Sequence, residues 1–77
     1  MLVFLRSSIN DILEDQTLTI HADSAFSDLN LNSLQFVKLT VACEDEFSIE
    51  FQDDDFLLGE YLTIEDFIER ILLRMSD

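Results

Sequence analysis

Apolar residues recur at helical spacing in three stretches of this chain, and no proline interrupts any of them. In the last stretch Ile64, Phe67, Ile68, Ile71, Leu72 and Met75 keep the i, i+3, i+4, i+7 rhythm of an amphipathic helix, which predicts a helix over about 64–75. Thr63 and Asp66 read as a capping box at its start. Glu65 and Asp66 in its first turn and Arg70 and Arg74 toward its end complement the helix dipole. Leu2, Leu5, Ile9, Ile12 and Leu13 predict a first helix over about 2–14 that buries one stripe, although Ser7, Ser8, Asn10 and Asp11 lower its intrinsic propensity. Gly59 is the only glycine, so turns fall to clusters of Asn, Asp and Ser, and no linker or repeat divides the chain. The expectation is one domain over 1–77.

A chain of 77 residues has room for one core, and at this size only about 60% of the unfolded surface can be buried. With 48% apolar residues spread along the whole length it has enough to fold alone. Seventeen acidic residues against four basic ones give a formal charge of −13. That field repels nucleic-acid phosphates and anionic lipid, and it attracts proteins with basic patches. The expected partners are therefore basic-patched proteins, with no nucleic acid, no membrane, and the chain itself a monomer. Cys43 is alone, which rules out an internal disulfide or a cysteine zinc cluster and fits a reducing cytoplasm. Met1 to Arg6 reads as the start of the first helix rather than as a signal segment, lacking a basic leader and a long apolar run.

Two short stretches, Thr17 to Ile20 and Phe47 to Phe51, alternate like strands. An isolated two-stranded ribbon is marginal in water, so the preferred reading is extended loops that drop Leu18, Ile49 and Phe51 into a helical core. Asp53 to Leu58 is read as one short helix.

Residues 33–47 carry the most information, because at 100° per residue their apolar side chains form two groups. Phe36, Leu39, Cys43 and Phe47, with Thr40, make one stripe. Leu34, Val37 and Val41 make a second on nearly the opposite side, flanked by Lys38, Glu44 and Asp45. Either the helix is sandwiched between two neighbours, or the second stripe faces solvent as a docking surface; the shortness of the chain favours the latter. Asn32 is a good N-cap and Gln35 can reach back to it, which puts Ser33 in the first turn. The free amides and positive dipole end there suit a phosphate, including one bonded to Ser33. On local chemistry alone Asn32-Ser33 is a capped helix start with an available hydroxyl.

Enzymatic readings find little to stand on. His21 is the only histidine and reads as a solvated loop residue, and no nucleophile elbow is present. Asp53-Asp54-Asp55 lacks the loop of a calcium site and reads as a helix start with solvated charges, so no metal is expected. Cys43 reads as a small buried hydrophobe.

The run from Phe26 to Leu39 resembles the modification site of the acyl carrier and peptidyl carrier protein family, whose signature is roughly Asp-Leu-Gly-x-Asp-Ser-Leu. Asp28, Leu29, Ser33, Leu34, Val37 and Leu39 fall in register. Glu44 to Phe51 is similar to the family's Glu-Glu-Glu-Phe-Gly-Ile-Glu-Ile, and Thr63-Ile64 to the Thr-Val that opens its last helix. The resemblance implies an all-α, four-helix bundle with a long loop after the first helix and a short third helix. It implies that a phosphopantetheinyl transferase joins 4'-phosphopantetheine from coenzyme A to Ser33, and that acyl- or aminoacyl-loading and condensing enzymes with basic patches dock on Leu34, Val37, Lys38, Val41, Glu44 and Asp45. The core stripe would line any acyl pocket. Asn32 stands where the family has aspartate, Asn30 and Ser48 where it has glycine, and Lys38 where acid is frequent. These departures point away from a housekeeping fatty-acid carrier and toward a discrete carrier of a specialised polyketide, nonribosomal-peptide or fatty-acid-like pathway. The alternative is an interaction module of the same fold that is not modified.

Overall fold

The computed structural model describes residues 1–15, 17 and 19–76. Its elements are helix α1 (Leu2–Leu13), a one-turn helix α2 (Phe26–Leu29), helix α3 (Ser33–Phe47), two 3₁₀ turns (Asp53–Phe56 and Leu58–Glu60) and helix α4 (Ile64–Met75). The described residues form no strand, only an isolated antiparallel bridge between Ala25 and Thr63. Leu18, expected in the core, lies outside the described residues.

α1 packs along α3 through its predicted stripe. Leu5 and Ile9 are fully buried, and Phe4 meets Phe47 edge-on with ring centroids 5.4 Å apart. The long connection after α1 is tied down by backbone bonding to the entry of α4. The Phe26 amide donates to Leu62, the Ile64 amide to Ser24 and the Glu65 amide to Ala22, at 3.0, 2.9 and 2.7 Å. α2 lies inside that connection, buries Phe26 and Leu29, and brings the chain to Asn30, which is left-handed at φ 57°. Ser48 is left-handed too, at φ 53°, and ends α3. Both are thus positions where glycine carries no Cβ penalty. Beyond Ser48, Ile49 and Phe51 enter the core from a connection with no regular secondary structure, and the Phe51 amide donates to Glu44 Oε2 at 2.9 Å.

Three expectations need correcting. The helix predicted over 53–58 is a pair of 3₁₀ turns broken at Leu57, whose backbone is extended at φ −89° and ψ 108°; short connectors favour this tighter winding. Asp55 is not solvated. Its carboxylate is completely buried and ion-paired with both Arg70 and Arg74 of α4. On α4, Ile64, Phe67 and Ile71 are fully buried as the periodicity requires, but Leu72 and Met75 remain about half exposed. Leu72 falls at the edge of the stripe set by the other three, and Met75 lies in the last turn.

Candidate functional site

Ser33 is the first residue of α3, and its side chain is exposed. The turn that presents it is fixed by reciprocal capping. Asn32 Oδ1 accepts from the Gln35 amide at 2.7 Å, while Gln35 Oε1 accepts from the Asn32 amide at 3.0 Å. Asn32 itself is extended, at φ −88° and ψ 173°, so the chain enters the helix abruptly and leaves the Ser33 hydroxyl at its rim. The Ser33 and Leu34 amides come before the first intrahelical donor, the Phe36 amide, which bonds the Asn32 carbonyl at 2.9 Å, and they add donors to the positive end of a 15-residue helix. A cleft of about 490 Å³ opens beside Asn32, lined by Phe26, Asn30, Leu31, Asn32, Leu58 and Tyr61.

The two predicted faces of α3 are physically distinct. Phe36, Leu39, Thr40 and Cys43 are fully buried, and the Thr40 hydroxyl is satisfied by donating to the Val37 carbonyl at 2.7 Å. On the other side Leu34, Val37 and Val41 are 66%, 37% and 52% exposed, forming an apolar stripe that runs from Ser33 along the helix. Lys38 and Asp45 are exposed beside it. Glu44 is partly buried, with one carboxylate oxygen taken by the Phe51 amide. Below Val41 the stripe continues into a second groove bordered by Ile49, Asp45 and Glu50.

The other candidates fall outside this site. His21 is exposed in the long connection, and its amide donates to Ser24 Oγ. Burial pushes the Cys43 thiol up to about 12, with the charges of Glu44 and Glu46 adding to the effect, so it stays protonated and unreactive. The Asp55 cluster had no local sequence signal, because its partners lie 15 and 19 residues away.

A serine hydroxyl exposed at a capped helix start, two free amides and an adjoining cleft of mixed polarity suit a phosphate-linked arm. The model of the phosphopantetheine attachment site family matches residues 3–71. The chain belongs to that family. The prosthetic group of this domain is a covalently attached 4'-phosphopantetheine, and the acyl carrier proteins of the family act as carriers rather than catalysts. Over 51 residues the chain is 39% identical to acyl carrier protein 3 of Ralstonia nicotianae, a match that covers 65% of this chain and 59% of that relative's length. The fold matches an acyl carrier protein from Thermotoga maritima with a TM-score of 0.78, at 16% identity, over 96% of this chain and 85% of that one. The all-α, four-helix carrier fold read from the sequence is therefore the one observed. Among the described residues no helix is long and apolar enough to cross a membrane.

Proposed function

We propose that Ser33 is the attachment point of the phosphopantetheine arm, and that the chain is a discrete carrier of acyl or aminoacyl groups in a specialised biosynthetic pathway. The observation that supports this best is the exposed Ser33 hydroxyl at the capped start of α3, where the exposed stripe begins. When bound, the arm supplies a terminal thiol that holds its cargo as a thioester.

The residues of this chain have three tasks. Asn32 and Gln35 hold the first turn so that the Ser33 hydroxyl faces solvent, where a transferase can reach it. The Ser33 and Leu34 amides, at the positive dipole end, stabilise the negative charge of a phosphodiester on Ser33. Leu34, Val37 and Val41 give partner enzymes an apolar contact, with Asp45 and the other carboxylate oxygen of Glu44 answering basic rims. Lys38 adds one positive charge to this acidic face and biases it toward partners with a matching acid. Those partners are a phosphopantetheinyl transferase and the loading and condensing enzymes of the pathway, met by a cytoplasmic monomer. Tethering holds cargo at high local concentration without any catalysis by the chain.

Incubation with coenzyme A and a broad-specificity transferase tests the proposal by intact mass. The wild type gains one phosphopantetheinyl group and Ser33→Ala gains none. A chain that stays unmodified with every transferase is the interaction module instead.

A further inference from the structure

We infer that tethered cargo is carried outside the helical bundle, because a closed aromatic cluster packs against the buried face of α3 at Phe36, three residues from Ser33; this rests on the reading of Ser33 as the attachment point. Phe36 lies three residues beyond Ser33, on the buried face of α3. It meets Phe26 of α2, Tyr61 after the second 3₁₀ turn and Phe67 of α4. Every pair among these four rings is in contact, with centroids between 5.1 and 6.2 Å apart. Three of the six pairs are edge-to-face, the favourable arrangement for aromatic rings, and the other three are tilted by 49° to 57°. Phe51 extends the cluster, 5.9 Å from Phe67. Phe36 and Phe67 have no exposed surface, and Phe26 and Tyr61 have 4% each.

A chain entering from the Ser33 end must displace these rings together, since each is wedged by the other three. One of them is also anchored from behind. The Tyr61 hydroxyl donates to the Asp55 carbonyl at 2.9 Å, and the Arg70 guanidinium lies 5.6 Å from the Tyr61 ring centroid. Asp55 is in turn clamped by Arg70 and Arg74. The cleft beside Asn32 offers no way around, because Phe26 and Tyr61 form part of its own lining. It ends on the outer edge of the cluster.

The consequence is a substrate class. A long alkyl thioester left in water carries a hydrophobic cost that grows with each methylene. A carrier with a filled interior therefore suits short, polar or aminoacyl thioesters, which need no burial. Phe26, Phe36, Tyr61 and Phe67 are the residues that set this preference.

The test uses Ser33→Cys in the full chain, alkylated with a haloacetyl pantetheine mimic that ends in either an acetyl or a decanoyl group. Cys43 does not compete, being buried with its thiol pushed up to about 12. The expected result is the same melting midpoint for both adducts and unchanged resonances of the four rings, with shifts confined to cleft residues such as Leu31 and Leu58. A decanoyl adduct that alone raises the midpoint and moves the ring resonances overturns the inference. The arm here is fixed chemically, so this outcome is independent of any transferase. Wild-type protein that gains no mass from coenzyme A with any transferase contradicts the Ser33 reading, not the filled interior.

Discussion

Asp55→Asn removes one charge from the core while preserving size, and the structure sets what that charge is worth. Burial alone would raise the pKa of Asp55. It is outweighed by the Arg74 guanidinium, whose Nε and Nη2 donate at 2.6 and 3.1 Å, by the Gln52 amide at 2.8 Å, and by Arg70. Together they hold the carboxyl at about 2 against an ordinary 3.8. At about 1.4 kcal/mol per pKa unit, this gap contributes roughly 2 kcal/mol of folding stability at neutral pH. The folded-state pKa is the lower one, so the contribution is present above pH 3.8 and is lost as pH falls through about 2. For a domain of this size 2 kcal/mol lowers the melting midpoint by about 10 °C. Urea unfolding followed by far-ultraviolet circular dichroism, on both proteins at a series of pH values from 7 to 2, reads the difference directly. The wild type should exceed the variant by about 2 kcal/mol from pH 7 to near pH 4, with the gap closing toward pH 2. A gap below about 0.5 kcal/mol at pH 7, the level of an ordinary surface change, refutes the reasoning. So does a gap that is the same at pH 2 as at pH 7.

Val37→Asp places a charge in the exposed stripe and should slow loading by a partner enzyme about fivefold or more while leaving the helical spectrum intact; unfolding would mean that the stripe belongs to the core. Asn32→Ala removes the α3 cap and should cost about 1 kcal/mol in urea unfolding, whereas Asn32→Asp keeps the cap, adds a charge at the positive dipole end and should raise the kcat/KM of the transferase reaction. Ser48→Gly relieves a left-handed serine at the end of α3 and should stabilise the protein by about 0.5–1 kcal/mol, measured the same way. Cys43 should resist a soluble disulfide reagent until the chain unfolds; rapid labelling of the native protein would contradict its burial.

The helices were legible where sequence encodes them locally. Thr63 with Asp66 and Asn32 with Gln35 are reciprocal caps within one turn, and both form as read. The two faces of α3 were legible because 100° periodicity separates Phe36 and Leu39 from Leu34 and Val41 without reference to any other element. Asp55 was illegible for the opposite reason. In a row of three aspartates nothing local distinguishes the buried one, and only the packing of α4 brings Arg70 and Arg74 to it. α2 is too short for periodicity to reveal, being held by the backbone bonds that join the long connection to α4. The same limit applied to the aromatic cluster. Phe36 is recognisable as a core residue from α3 alone, but its contact with Phe26, Tyr61 and Phe67 depends on tertiary packing.

The central claim is that one serine among several carries the arm, and peptide mapping of the transferase product tests it most directly. Trypsin cuts after Arg6 and Lys38, releasing a 7–38 peptide that holds five serines: Ser7, Ser8, Ser24, Ser27 and Ser33. Fragmentation of this peptide should place the whole phosphopantetheine mass on Ser33 and leave the other four unmodified. Modification at Ser24 or Ser27, or an unmodified peptide after exhaustive reaction, would contradict the account.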